Sequence, residues 1–395
     1  MSKTAKKYQG ISISELLGVI PDKELVRLAS ETKVDHYSKV LYGRSVFYML
    51  LMGILNSERA SLRILEDIFN RKSFKIMFNL DAGKTVKYNS ISERLDVMEV
   101  EFFEKLFELF YSQLSKLYSQ DEILEQKIVR VDSTMVAETS AKLLEGMHVG
   151  CKKDGKKQTK YTVAFDGIFP CAVEVFSDKS YLSEDKTIPN VVFSCAEKHK
   201  GKIFAFDRGV QKRETFEELN KEKIEFVCRL KESSRRQVVR TIETGNGRRI
   251  GSIFLVSDEE VRLFGTRNNK PTEETFRLIT ALNEKGDKLL FLSNIFDLCA
   301  EVIVLFYRKR WDIEVFFRFL KQELNLSHFF STKVNGIKII LYMTLILSML
   351  ILIYKRKNNL GYKTAKRRFQ YELDWLLTQI IVRLCGGRDP DLVFR

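Results

Sequence analysis

The amino-acid sequence predicts an α/β fold: a mixed sheet flanked by helices, preceded by a helical domain and interrupted by an all-β insertion. Three observations carry that expectation. Residues 1–122 place apolar side chains at three- and four-residue spacing, the period of a helix. From residue 123, short runs rich in Val, Ile and Phe alternate with helical stretches, as in a sheet with helices packed on it. Residues 233–294 then hold β-type runs alone, separated by polar turns.

In order, the first region shows helical patterns at 14–17, 39–55, 61–69 and 101–117. Strands are expected at 127–134, 160–165, 171–176, 202–207 and 224–230, with one helix ending near His199 and another over 211–223. The insertion contributes β-type runs at 253–256, 261–264, 276–280 and 289–292. Helix returns as one stretch from 298 to about 324, followed by the apolar run 339–354. That run is shorter than the roughly twenty residues that span a bilayer, so a buried core helix is the expected reading. The basic end Lys355-Arg356-Lys357 makes an interfacial helix the alternative.

Composition narrows the function. With 395 residues, 45% hydrophobic and 30% charged, the chain can build two or three domains with real cores. There are 66 Lys and Arg against 52 Asp and Glu, a formal charge of +14, which favours a polyanionic partner, nucleic acid first and an anionic membrane surface second. The six cysteines are scattered without a C-x-x-C pair, which speaks against a disulfide framework and for a reducing cytoplasm.

Two aspartates stand out. Asp132 in VRVDST and Asp207 in IFAFDRG each close an apolar strand, where an acid is costly unless paired, hydrogen-bonded or bound to a cation. Each alone is also a common turn cap. Brought together at one sheet edge, hard carboxylate oxygens in a chain with only four histidines favour Mg²⁺ or Mn²⁺ over Zn²⁺. A third feature is Tyr307-Arg-Lys-Arg310-Trp-Asp-Ile-Glu314, continuing to Lys321. On a straight helix, Tyr307, Arg310, Glu314 and Lys321 fall within about 60° of one another and form a stripe about 21 Å long. The plain alternative is a solvated face with an Arg310–Glu314 pair.

These residues spell Y-x₂-R-x₃-E-x₆-K, and on that motif the chain resembles DDE transposases of the insertion-sequence-4 family. Asp132 before Ser133-Thr134, Asp207 before Arg208, and a β insertion between Asp207 and Glu314 match the family's pattern too. The resemblance implies an RNase H-like core in which Asp132, Asp207 and Glu314 hold Mg²⁺ or Mn²⁺, two ions in all. It further implies double-stranded DNA as partner, both the terminal inverted repeats and the target, and a dimer on DNA. Tyr307, Arg310 and Lys321 become candidate DNA contacts, as do Arg229 and Lys231 at the end of the fifth strand. In relatives such groups support a flipped base. Where a relative uses a Trp of the β insertion this chain has none, leaving Phe254, Phe264 or Phe276 as substitutes.

With the resemblance, the organisation reads as a helical DNA-binding domain (1–122), a catalytic core in two parts (123–232 and 295–360), the β insertion (233–294) and a basic C-terminal tail (361–395). A bacterial cytoplasm, at the nucleoid, is the expected location, with no membrane partner. A non-catalytic DNA-binding repressor and a nuclease that does not join strands are the rival readings.

Other motifs fall away. Ala82-Gly83-Lys84-Thr85 lacks the earlier glycine of a phosphate-binding loop, since Phe78 stands there. His148 and Cys151 form half a zinc motif with no second half. Lys152, Lys153, Lys156, Lys157 and Lys160 make a basic segment suited to phosphate contact.

Overall fold

The computed structural model describes residues 10–56, 60–118, 127–137, 146–147, 157–244, 248–265, 270–326 and 330–387. The basic segment at Lys152, Lys153 and Lys156, like His148 and Cys151, lies outside the described residues. Contacts divide the chain into two units, one of Met1–Tyr118, Val136–Gln158 and Arg318–Arg395, the other of Ser119–Met135 and Thr159–Phe317.

The first unit is helical. Its N-terminal part holds α1 (Ile13–Leu17), α2 (Asp22–Glu31), α3 (Gly43–Asn56), α4 (Leu62–Asn70), α5 (Lys72–Met77), α6 (Tyr88–Val97) and α7 (Val100–Leu114). Local chemistry sets several starts. Ser12 and Glu15 form a reciprocal capping box at α1, and the Ser61 hydroxyl accepts from the Ile64 N–H at α4.

The second unit is built on a ten-stranded sheet. Its strands are β1 (Ile128–Ala137), β2 (Gln158–Phe165), β3 (Pro170–Phe176), β4 (Ile203–Phe206), β5 (Glu225–Leu230), β6 (Arg236–Thr244), β7 (Arg249–Ile250), β8 (Ile253–Leu263), β9 (Phe276–Asn283) and β10 (Lys288–Ser293). The order is β3-β2-β1-β4-β5-β10-β9-β8-β6, with β7 on β8. β4 runs parallel to β1 and β5, while β3 is antiparallel to β2, giving the RNase H-like mixed sheet. Helices α8 (Glu184–Lys198) and α9 (Arg213–Lys221) lead into β4 and β5.

The insertion does not form a separate body. It continues the same sheet, because β10 pairs antiparallel with β5 and β9 with β10. The two runs expected within 253–264 are a single strand, bulged between Leu255 and Ser257. β6 has no apolar alternation to betray it and is exposed along nearly its whole length.

After the sheet come α10 (Ala300–Arg308), α11 (Trp311–Glu323), α12 (Val334–Lys357) and α13 (Tyr362–Leu384). The unit boundary falls within α11, so α12 and α13 group with the N-terminal helices. α12 carries the apolar run of the sequence. It is long and apolar enough to cross a membrane by length and composition, yet 94% of its most apolar stretch is buried. A helix apolar on every side needs such an enclosure. α3, α6, α7 and α13 all pack on α12, and Asn335 donates to the Leu95 and Met98 carbonyls, both at 2.9 Å. Much of the expected basic tail is a helix, α13, which buries Ala365, Phe369 and Leu373.

Candidate active site

Strand register assembles the site. Val131 stands opposite Phe206, and Phe206 opposite Cys228, in the parallel pairs β1–β4 and β4–β5. The next residues, Asp132, Asp207 and Arg229, therefore form one row across three strands. Asp207 directly follows β4, as expected, whereas Asp132 lies inside β1, which runs on to Ala137. Each aspartate accepts a hydrogen bond from the next backbone N–H, Ser133 at 2.8 Å and Arg208 at 2.7 Å.

The single helix expected from 298 to about 324 is broken at Lys309 and Arg310. The bonds there reach three residues back instead of four: Arg310 N–H to the Tyr307 carbonyl at 2.9 Å, Asp312 N–H to Lys309 at 3.1 Å, Ile313 N–H to Arg310 at 3.2 Å. Tyr307 thus belongs to α10, Arg310 to the junction, and Glu314 and Lys321 to α11. The straight four-residue stripe does not exist as such. What joins its first three members to the sheet is a set of polar contacts.

Tyr307 donates its hydroxyl to Asp207 Oδ1 at 3.0 Å. Arg310 donates Nη1 to Asp132 Oδ2 at 3.3 Å and Nη2 to Glu314 Oε1 at 2.6 Å. Its guanidinium also stands 5.9 Å from the centre of the Tyr307 ring. Tyr307 meets Phe291 edge-on at 5.3 Å, and Phe291 in turn faces the Arg229 guanidinium at 5.4 Å. Among the described residues, the buried Nε atoms of Arg229 and Arg310 have no hydrogen-bond partner. Arg229, Phe291, Tyr307, Arg310 and Trp311 line one cavity of about 580 Å³.

Burial pushes the Asp132 carboxyl up to about 6; its Ser133 hydrogen bond and Arg310 oppose this, while Glu184 and Asp207 add to it. Burial, then the Asp207 carboxylate, holds the Tyr307 phenol well above its ordinary range, so it stays a donor.

Glu184 is a fourth acid, one that sequence reasoning misses. It opens α8 behind the N-cap Ser183. Asp185 accepts from the Gln211 and Lys212 N–H groups, tying the first turn of α8 to the loop after Asp207. Glu184 is thereby pressed against Gly209, where a β-carbon would lie 1.5 Å from its Oε2. Burial raises its pKa, Lys160 lowers it, and Asp207 raises it. Lys160 is buried and donates to the Leu182 carbonyl at 2.8 Å. Ser183-Glu184-Asp185 reads in sequence only as a helix start; nothing local says which loop it will face.

The remaining expected residues stand elsewhere. Lys231 is exposed just past β5. Lys321, in the last turn of α11, follows Glu314 by two helical turns on the same helix face. Of the three phenylalanines, Phe276 is fully buried against Phe216 and Phe226, so it cannot meet a base. Phe254 and Phe264 are half-buried under Arg249 and Arg235.

Carboxylate oxygens are suitable ligands for a hard divalent cation. Among the described residues, no three of His, Cys, Asp and Glu lie close enough together to hold a metal ion. The Arg310 guanidinium makes the contacts to Asp132 and Glu314 instead. The donor chemistry fits, on condition that Arg310 yields its two partners.

The mixed sheet sets Asp132 of β1 and Asp207 after β4 in adjacent register, and sequence comparison says which family the chain belongs to. Residues 124–350 match the family described as Transposase DDE domain. A probable transposase for insertion sequence element IS5377, from Geobacillus stearothermophilus, is 23% identical over 297 residues, 73% of this chain and 75% of that protein. The Sinorhizobium fredii protein y4zB, provisionally assigned as a transposase, is 27% identical over 164 residues, 40% of this chain and 44% of its own. The piggyBac transposase synaptic complex with hairpin DNA aligns with 95% of this chain and 80% of that one at 12% identity, with a TM-score of 0.47. The chain belongs to the DDE transposase family.

Proposed function

We propose that this transposase binds the terminal inverted repeats of its insertion sequence, cleaves the DNA there and joins the freed 3′-hydroxyl ends to target DNA. The observation that carries the reading is the row of Asp132 and Asp207 on neighbouring parallel strands, with Arg310 joining Asp132 to Glu314. The Y-x₂-R-x₃-E-x₆-K motif, Tyr307 to Lys321, supports membership of the insertion-sequence-4 group.

In this reading Asp132, Asp207 and Glu314 hold Mg²⁺ or Mn²⁺, two ions in all, and Glu184 lends a further negative charge beside Asp207. Bound divalent ions supply activation of the attacking oxygen and stabilisation of the leaving one. Arg310 exchanges its carboxylate partners for a phosphate of the element end, bidentately, and so frees the acids when DNA arrives. Tyr307, held protonated, turns its one O–H from Asp207 to a phosphate oxygen. Arg229 and Lys321 add cationic contacts, with Lys231 at the rim. The cavity between Arg229, Tyr307 and Arg310 has room for a nucleotide and offers cations and aromatic faces together. Cutting two ends in concert calls for a dimer on DNA, and the place of work is the bacterial nucleoid in the cytoplasm.

The test uses the full chain and a labelled duplex carrying the element's own end, with Mg²⁺, with EDTA, and with Glu314→Gln. Nicking and joining that need metal and vanish in the variant bear the reading out. Binding without cutting makes the protein a repressor; cutting without joining makes it a nuclease.

A further inference from the structure

Arg130 is among the largest fully buried side chains of the described residues, 1% exposed, and it lies two residues before Asp132 on the same face of β1. Its guanidinium gathers three chain segments. Nη1 donates to the Asp166 carbonyl in the β2–β3 turn at 2.9 Å, Nε to the Lys309 carbonyl at 3.1 Å, and Nη2 to Asp312 Oδ2 at 3.0 Å. The turn is shaped to receive it. Gly167 has φ +99, and a β-carbon there would meet Nη1 at 2.6 Å. Lys309 lies in the break between α10 and α11 and Asp312 just after it, so Arg130 grips that junction from the sheet side. A side chain inserted at a helix carbonyl is a recognised cause of such a kink.

With Arg130 buried and the Asp312 side chain 44% exposed, the pair is weak support for stability, because desolvation of the arginine and solvent at the aspartate offset most of its attraction. What the pair does supply is position. Arg310 follows Lys309 directly and reaches Asp132, while Glu314 sits two residues beyond Asp312. We infer that Arg130, through Asp312 and the Lys309 carbonyl, is a positioning residue that holds the Glu314 helix in place over Asp132, so that the acids can share a divalent cation. The inference rests on the metal-binding reading of Asp132, Asp207 and Glu314.

The test measures Mn²⁺ binding to the full chain on the element-end duplex, by the resonance signal of free Mn²⁺, alongside thermal melting. Asp312→Ala removes the contact; Asp312→Asn keeps an acceptor at the same place; Arg130→Met with Asp312→Leu replaces the pair by apolar groups. The expected result is Mn²⁺ affinity about tenfold weaker in Asp312→Ala and in the folded double variant, with most of it restored in Asp312→Asn, as for outer partners of metal ligands. A merely structural pair predicts lower melting temperatures with Mn²⁺ affinity unchanged. A shift under about threefold in the double variant, at a melting temperature near that of the unaltered chain, overturns the inference. Should the double variant not fold, Asp312→Ala and Asp312→Asn binding Mn²⁺ alike overturns it, and a loss in the first restored by the second supports it. Glu314→Gln separates the two levels: if that variant binds Mn²⁺ like the unaltered chain, the metal-site reading itself fails and takes the inference with it.

Discussion

Arg310 Nη1 lies 3.3 Å from the Asp132 carboxylate, 178 residues away in sequence, while its Nη2 holds Glu314 at 2.6 Å. One guanidinium thus satisfies two acids that the proposed chemistry needs for a cation. Removing it without DNA present should expose them. Arg310→Gln is expected to bind Mn²⁺ more tightly than the unaltered chain in the absence of DNA, by about tenfold, the size of a strong charge-assisted contact. Calorimetric titration without DNA reads this directly; weaker binding in the variant refutes the exchange.

The same residue has a DNA-side signature. A phosphate contact releases counterions, so Arg310→Ala should flatten the salt dependence of end binding by about 0.9 in log K against log salt. Filter binding or anisotropy over a salt series measures the slope. An unchanged slope removes Arg310 from the phosphate contacts.

Asp132→Asn, Asp207→Asn and Glu314→Gln should each lower cleavage by more than about 100-fold, beyond the range typical of outer partners, while end binding stays within a fewfold. Quantified nicking beside a mobility-shift assay checks both halves. Parallel loss of binding would point to a structural role.

Glu184 meets Gly209 so closely that Gly209→Ala must push the glutamate aside. Glu184→Gln and Gly209→Ala should therefore weaken Mn²⁺ binding on DNA to a similar degree, roughly 10-fold. A normal Glu184→Gln variant would leave this acid with no part in cation binding.

The pH dependence follows from Asp132, whose carboxyl stands at about 6 in the folded chain against about 3.9 when unfolded. The folded state holds that proton more tightly, so the contribution to stability is full below about pH 4 and fades as pH rises through about 6. Burial causes this rise; the Ser133 hydrogen bond and Arg310 oppose it, and Glu184 and Asp207 reinforce it. Without metal, melting temperature should fall more between about pH 5 and about pH 7 for the unaltered chain than for Asp132→Asn. Parallel curves would contradict the raised carboxyl.

Much is legible because it is local. VRVDST and IFAFDRG carry their strands in β-branched and aromatic residues, and the apolar run of α12 announces burial by composition alone. β6, RQVVRTIET, is not legible, because it is exposed on both faces and an edge strand of that kind needs no alternation. Phe276 is a base-stacking candidate by its type, and only its packing against Phe216 and Phe226 shows it committed to the core.

Short-range pattern and residue chemistry suffice for the class of fold, for the strands that carry Asp132 and Asp207, and for the grouping of Tyr307, Arg310 and Glu314. Long-range packing settles the rest: the break at Lys309 and Arg310, the Arg310 bridge between Asp132 and Glu314, the arrival of Glu184 beside Gly209, and the Arg130 grip on Asp312. Most of these contacts join residues far apart in the chain. A buried charge takes whichever partner the packed fold brings within reach, and helix periodicity cannot foresee a carbonyl claimed by an arginine from a distant strand.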